Sequence, residues 1–517
     1  MSAHITLGDL VELLDEQGLL AHHTPLGEAA NTPVTGADCD SRVAAQGHVF
    51  VCKGAAFKPA YLLSAVEKGA IAYLCDEALS ADLAQACPQV PALVATNLRK
   101  AMAKLSAEAW GHPDRDINIV GITGTKGKST VAYMLRHILD GPDAGSGTGV
   151  LGSIDTYDGI ESFESVNTTP ESPDLWRHLA NVRDSGLGTM VMEVSSQALK
   201  YDRVNDLEID VACFLNIGRD HISPIEHPNF EDYFASKLRI FDQARVAVVG
   251  LDMDHANDVL EAAQRCDRVV TFSVADGQTT SAADVWASDV RSEDGGITFV
   301  VHSARGTRSM HVSMPGLFNV DNALAAIAIC EELGIDDERI CYGLAHVRVP
   351  GRMELLQTAD PNVCALVDYA HNKLSYQRFF ASVSKEFAGR QIIALFGAPG
   401  DKAQERRREL PEEASRWADL IIYTEEDPAH ERTEDICAQM AANTPEGQAF
   451  EVICDRPDAI ARAVEAAFAA PQGAVVCLLA KGDETRQHEG DQFVPCETDG
   501  AIFEREVQRL LGSRNQN

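Results

Sequence analysis

The sequence predicts an α/β protein of three domains, on three observations. At 517 residues the chain is too long for one compact core, since domains commonly hold about 100–150 residues. Short apolar runs rich in β-branched residues alternate with helical patterns, as in parallel strands joined by helical crossovers. Two breaker-rich stretches, at residues 111–116 and 349–352, interrupt that alternation. The expected domains are therefore 1–112, 113–347 and 348–517.

The first domain starts with a helical pattern over residues 7–17, followed by apolar runs at 49–51 and 70–74, which make a small α/β unit. After the polar linker 111–116, the strand run 117–122 opens the central domain. Further strand runs lie at 190–192, 211–215 and 246–249, which predicts a parallel sheet covered on both faces. The Gly- and Ser-rich stretch 141–149 reads as a surface turn. Beyond residue 352, runs at 365–367, 392–396, 420–423 and 475–479 are four buried strands separated by helices, a third, Rossmann-like domain.

Composition excludes several function classes. With 44 Lys+Arg against 78 Asp+Glu, the net charge of −34 repels nucleic-acid phosphates and anionic membranes. Aromatic residues at 6% offer no base-stacking surface. The thirteen cysteines form no CxxC pair and no Cys/His cluster at zinc spacing, so they read as small core residues in a reducing compartment. No segment has the length of a membrane span, and residues 1–20 lack a signal peptide's basic start and apolar run. A cytoplasmic monomer acting on small molecules is expected.

The strand run 117–122 leads into Thr123-Gly124-Thr125-Lys126-Gly127-Lys128-Ser129-Thr130. A helix with apolar residues at Val131, Met134, Leu135 and Ile138 follows at once. Strand, glycine loop and helix in that order make a phosphate cradle. Glycines let backbone N–H groups approach phosphate oxygens, the helix N-terminus favours negative charge, Lys128 reaches the terminal phosphates, and Ser129 suits Mg²⁺. Ile122 stands where the longer GxxxxGK[ST] pattern has its first glycine. The loop alone does not choose between kinase, GTPase and ligase.

Five further segments, in order, carry a resemblance. They are Met192-Glu193-Val194-Ser195-Ser196-Gln197-Ala198-Leu199 with Arg203, the run Asn216-Ile217-Gly218-Arg219-Asp220-His221, and Ser236-Lys237-Leu238. Gly351-Arg352-Met353-Glu354 and Asp368-Tyr369-Ala370-His371-Asn372 complete the set. Together with the short phosphate loop they resemble the Mur ligases. Asp40-Ser41-Arg42 and Asn167-Thr168-Thr169-Pro170 are similar to segments of the E type, which adds the third residue of the peptidoglycan peptide.

The resemblance implies an ATP-dependent ligase with Mg²⁺ as cofactor, and it carries an acyl-phosphate intermediate with it. It assigns Gly124, Thr125, Lys126, Gly127, Lys128, Ser129, Thr130, Asn319, Asn322, Arg352, Asp368 and His371 to ATP. Ser41, Arg42, Asn167, Thr168, Thr169, Ser195 and Arg203 go to the UDP-linked substrate. Lys128, Glu193, His221 and Lys237 are the catalytic set, with Ser129, Glu193, His221 and a CO₂ adduct of Lys237 at the metal. By residue type alone, Lys237 reads as a solvent-facing helix lysine, and Asn319 and Asn322 as helix caps.

For the incoming amino acid the resemblance points to Arg407, Glu426, Asp427 and Glu484, with Arg406 and Arg408 as alternatives to Arg407. Diaminopimelate-adding relatives carry an arginine in a DNPR motif, where this chain has Ala429 within Glu426-Asp427-Pro428-Ala429. A second substrate carboxylate beside Glu426 and Asp427 costs several kcal/mol of uncompensated charge. L-lysine is therefore expected, with L-ornithine or meso-diaminopimelate as alternatives. Gln197, Ala480 and Asp483 depart from the family pattern, which leaves room for a divergent Mur-like ligase, a non-catalytic nucleotide-binding paralogue or a P-loop kinase.

Overall fold

The computed structural model describes residues 5–54, 56–142, 147–220, 222–223, 226–274, 282–293 and 295–514. His221 lies outside the described residues, as does the middle of the 141–149 turn. The chain divides into two compact units. The first comprises Met1–Ala275, Thr280–Trp286 and Leu324–Gly343, and the second Asp276–Thr279, Ala287–Ala323 and Leu344–Asn517.

In the first unit, a five-stranded sheet runs Leu20–His23, Ala92–Ala95, Ala72–Asp76, His48–Val51, Gly36–Asp38, parallel except for its first strand. Side chains alternate across it, as strand geometry requires. Val49, Val51 and Leu74 join Leu10, Leu14, Met102 and Leu105 in one core, while Phe50, Tyr73 and Cys75 join Leu62 and Leu83 in another. Helix Leu7–Glu16 matches the expected start.

A second sheet in this unit places Asn118–Thr123 between Thr189–Glu193 and Ile209–Phe214, all parallel. Thr148–Leu151 extends it on one side and Ala244–Gly250 with Arg268–Val274 on the other. Met190, Met192, Ile119, Ala212 and Phe214 pack with Trp176, Leu179 and Phe241 in one core. The C-termini of these six parallel strands lie at one edge, where parallel sheets bind ligands.

The polar stretch 111–116 is exposed at Gly111, Arg115 and Asp116 and buried between them. Pro113–Arg115 is a 3₁₀ turn, and His112 and Asp114 are buried. His112 Nε2 lies 3.1 Å from Glu108 Oε1, and Asp114 Oδ2 accepts Glu208 N–H at 3.0 Å. His112 and Asp114 sit inside because each finds a hydrogen-bonding partner outside the stretch.

In the second unit, six strands run Glu354–Gln357, Val363–Asp368, Ala474–Leu479, Gln391–Phe396, Leu420–Tyr423, Phe450–Val452, parallel apart from the first. The four expected strands are its centre. Gly296–Ser303 and Gly306–Val312 form an antiparallel hairpin in the same unit that the sequence reading did not anticipate. Across the chain the class is mixed α/β with parallel-rich sheets, as expected. All thirteen cysteines are free. Among the described residues no helix is long and apolar enough to cross a membrane.

Candidate active site

The phosphate loop joins strand Asn118–Thr123 to helix Lys128–Asp140. Gly124 at φ 151° and Gly127 at φ 91° hold conformations that L side chains rarely adopt, and a Cβ on Gly124 would meet Leu215 Cβ at 3.0 Å. The side chain of Asn216 clamps the loop, accepting from Lys126 N–H and donating to the Lys126 carbonyl, each at 2.9 Å. Thr125 Oγ1 accepts Gly218 N–H at 2.9 Å and meets Tyr233 Oη at 3.1 Å. Lys126 Nζ pairs with Asp220 at 3.2 Å, and Lys128 Nζ donates to the Gly124 carbonyl at 3.1 Å. Thr130 is buried in the first turn of the helix. Segment 216–220 thus shapes the cradle, a role its sequence did not reveal.

Glu193 closes its strand with only 2% exposure. Its Oε1 accepts Ser129 Oγ–H and Ser153 N–H, both at 2.8 Å, and its Oε2 accepts Ser153 Oγ–H at 3.1 Å. A side chain on Gly152 would strike Glu193 Oε1 at 2.6 Å. A serine hydroxyl and a carboxylate in contact at the mouth of a phosphate loop are hard oxygen donors of the kind Mg²⁺ takes, so these residues fit the expected cofactor. Ser153 was missed from sequence, where nothing distinguishes it from any turn serine.

Lys237 corrects its residue-type reading. It lies on helix Phe230–Leu238 at 2% exposure, with Nζ donating to the Gly124 carbonyl at 2.9 Å and lying 5.0 Å from the centre of the Tyr233 ring. Burial, with the Lys128 charge adding to it, holds its ammonium well below the usual lysine range.

Of the residues assigned to the UDP-linked substrate, Thr169 is fully buried. Its hydroxyl donates to the Glu193 carbonyl at 2.8 Å and accepts Ser195 N–H at 3.0 Å, while its carbonyl accepts Arg203 Nη1 at 3.0 Å. It is a peg fastening segment 167–171 to the strand end, not a surface open to substrate. Ser195 caps helix Ser196–Lys200 through Ala198 N–H. Arg203 and Lys53 grip the two oxygens of Glu171 at 2.9 and 3.2 Å. Thr168 Oγ1 meets Ser153 Oγ at 2.9 Å, and Asn167 is exposed. Arg42 is exposed on Asp40, and the carbonyls of Ser41 and Arg42 both receive Lys68 Nζ.

In the second unit, Asp368 accepts Met353 N–H and Ala370 N–H, both at 2.8 Å, fixing the turn after its strand. Arg352 stacks 4.5 Å over the Tyr369 ring, and His371 Nδ1 lies 2.7 Å from the Tyr369 carbonyl. Asn319 and Asn322 are buried, but not as caps: Asn322 Nδ2 donates to Asn319 Oδ1 at 2.8 Å, and Asn319 Nδ2 to the Pro315 carbonyl at 2.7 Å.

An acidic cluster forms where two strands of this sheet end. Glu426 is half-buried and its Oε2 has no hydrogen-bond partner. Burial, helped by Asp427 and Glu484, pushes its carboxyl up to about 7 against the opposing pull of Arg406. Buried Lys481 reaches Glu484 at 3.0 Å and Asp427 at 3.2 Å. Arg407 corrects its expected role. Its guanidinium is 3% exposed and committed to Glu431 at 2.7 and 2.8 Å, to Gln439 and to the Pro399 carbonyl. Arg406, one residue earlier on the same helix, acts electrostatically on Glu426 and is half-buried.

These features define an α/β protein with a phosphate-binding loop and a serine–glutamate oxygen pair beside it. Residues 122–330 match the Mur ligase middle domain, and residues 351–482 the Mur ligase, glutamate ligase domain. The chain is 36% identical to the UDP-N-acetylmuramyl-tripeptide synthetase of Bifidobacterium longum, over 97% of this chain and 99% of that one. It is 35% identical to the UDP-N-acetylmuramoyl-L-alanyl-D-glutamate–L-lysine ligase of Enterococcus faecalis, over 97% and 96%. The chain belongs to the Mur ligase family, ATP-dependent enzymes that form amide bonds. Its fold is similar to a solved UDP-N-acetylmuramoyl-L-alanyl-D-glutamate–2,6-diaminopimelate ligase, with a TM-score of 0.65 at 24% identity over 94% of this chain and 97% of that one. It is also similar to the MurF ligase of Thermotoga maritima in complex with ADP, with a TM-score of 0.60 at 18% identity over 92% and 99%.

Proposed function

We propose that this ligase adds L-lysine as the third residue of the peptide on UDP-N-acetylmuramoyl-L-alanyl-D-glutamate. The acidic cluster of Glu426, Asp427 and Glu484, with Ala429 where an arginine would greet a second carboxylate, is the observation that carries this choice. Relatives named as L-lysine ligases in Enterococcus faecalis and Streptococcus pyogenes agree with it.

The reaction begins when the terminal carboxylate of the dipeptide attacks the γ-phosphorus of ATP. The β,γ bridge then breaks, ADP leaves and an acyl phosphate remains. The amine of the incoming amino acid attacks the acyl carbon, sheds a proton and expels inorganic phosphate, leaving an amide. Such transfers are accelerated mainly by positioning and charge neutralisation. Main-chain amides of residues 124–129 orient the triphosphate, and Lys128 neutralises the migrating phosphoryl group. Ser129, Glu193, His221 and, once it carries a CO₂ adduct, Lys237 would hold Mg²⁺, which would supply Lewis-acid stabilisation of the same charge. Ser41, Arg42, Asn167, Thr168, Ser195 and Arg203 hold the UDP-linked peptide. Glu484 binds the incoming amine, Glu426 and Asp427 its distal ammonium, and Arg406 its α-carboxylate. The domains follow at 1–112, 113–347 and 348–517.

The test is a competition in which enzyme, UDP-muramoyl dipeptide and ATP meet equimolar lysine, ornithine and meso-diaminopimelate, with products weighed by mass spectrometry. A lysine adduct is expected, and a dominant diaminopimelate adduct overturns the choice. Lys128→Ala working at full rate overturns the chemistry itself.

A further inference from the structure

Arg456 belongs to no segment assigned above, yet it makes the most complete set of contacts of any arginine near the acidic cluster. It opens helix Arg456–Ala469, is 4% exposed, and spends its guanidinium on three partners. Nε and Nη2 grip the two oxygens of Asp499 at 2.7 and 2.6 Å, and Asp499 is itself 2% exposed at the start of helix Asp499–Arg514. Nη2 also donates to the Leu479 carbonyl at 2.9 Å, and Nη1 to the Glu425 carbonyl at 2.9 Å. A weaker link runs from Arg456 N–H to Glu425 Oε1 at 3.4 Å.

Those two carbonyls are unusual choices. Leu479 ends strand Ala474–Leu479, one residue before Ala480, and Lys481 and Glu484 follow. Glu425 follows strand Leu420–Tyr423 and directly precedes Glu426 and Asp427. In the sheet these strands are not neighbours, because Gln391–Phe396 lies between them, so no ladder bond sets the spacing of their ends. Ala480 at φ 83° shows that the chain after Leu479 is held in a conformation costly for a residue with a Cβ. A buried ion pair adds little net stability compared with apolar packing, whereas a planar fork with five donors fixes geometry in a way that lysine does not.

We propose that Arg456, oriented by Asp499, is the positioning residue of the amino-acid site, holding the strand ends that carry Glu426–Asp427 and Lys481–Glu484 at the separation the incoming diamino acid requires. This rests on the reading that those acids bind that substrate. Asp499 restrains the fork in turn. Without it the opposing charges left acting on the guanidinium are those of Glu426 and Glu425, and it draws the acid meant for the substrate towards itself.

The experiment compares steady-state constants of Asp499→Asn, Arg456→Lys and Glu426→Gln in the full-length enzyme, normalised to active-site concentration. Asp499→Asn is expected to raise KM for the amino acid about tenfold, the effect of one charged contact misplaced, with KM for ATP and for the UDP-linked dipeptide within about twofold of wild type. Arg456→Lys should do the same or more. A lower melting temperature with unchanged KM for the amino acid would mean a structural pair only and overturns the proposal. If Arg456→Lys does not fold, Asp499→Asn, which keeps shape and one acceptor, decides alone. Glu426→Gln separates the two levels of inference. If it raises KM for the amino acid and Asp499→Asn does not, the positioning role fails while the site stands. If neither moves KM for the amino acid, the site assignment fails and takes the positioning role with it.

Discussion

Replacing Lys237 by methionine should make the protein more stable and the enzyme nearly inactive. The side chain is 2% exposed, and its ammonium is held well below the ordinary value of 10.5 by burial and by the charge of Lys128. The folded state therefore binds fewer protons here than the unfolded state, so wild-type stability rises with pH up to about 10.5, by at most about 1.4 kcal/mol per pH unit. At pH 7 the penalty cannot exceed the cost of giving up the proton, about 5 kcal/mol. Methionine escapes that penalty but abandons the 2.9 Å hydrogen bond to the Gly124 carbonyl, a loss of about 0.5–1.5 kcal/mol because that carbonyl keeps the Lys128 ammonium as a donor. A net gain is expected at pH 7, with a ceiling of about 4 kcal/mol, shrinking towards pH 10. Urea titrations of both proteins in CO₂-free buffer between pH 7 and 10 measure it, alongside ATP-dependent ligation, which should fall at least about 100-fold for loss of a group that stabilises transition-state charge. A methionine variant less stable than wild type at pH 7, or one with the same pH slope, refutes the argument.

Two further outcomes follow from the same kind of bookkeeping. His112, raised to about 9 by Asp114 and Glu108, contributes stability fully present below pH 6.5 and lost as pH rises through about 9. His112→Asn, which tolerates the local φ of 51°, should cost about 2 kcal/mol at pH 6 and little at pH 10 by urea titration, the 3.6 Å gap from Nδ1 to Asp114 being too long for the full effect. Glu426, pushed up to about 7 by burial, takes up a proton as pH falls and loses its attraction for a cation. KM for lysine should therefore climb below pH 7 in wild type, and be high but flat from pH 6 to 8 in Glu426→Gln.

Much of the architecture was readable in the sequence because parallel strands buried on both faces appear as uninterrupted apolar runs. Runs 392–396 and 475–479 became strands Gln391–Phe396 and Ala474–Leu479 with almost no shift. The hairpin Gly296–Ser303 and Gly306–Val312 was overlooked, although Ile297, Phe299 and Val301 alternate inward as a half-buried strand should. The stretch 111–116 looked like a linker because its residues are polar, and Gly111, Arg115 and Asp116 are indeed exposed, while His112 and Asp114 turn inward to meet the preceding helix's Glu108 and the distant Glu208 N–H.

The sequence by itself determined the chemistry available to the protein: a glycine loop that cradles phosphate, a glutamate at a strand end, and a pair of acids, Glu426 and Asp427, followed by the uncharged Ala429. Only the tertiary structure decided which way each group points. Arg406 and Arg407 are adjacent and chemically identical, but consecutive helix residues diverge by about 100°, so one is sealed against Glu431 and the other acts on Glu426. The same rotation takes Lys237 from the expected solvent face to the floor of the phosphate loop. Composition carries charge and size, whereas direction comes from the elements packed around each side chain.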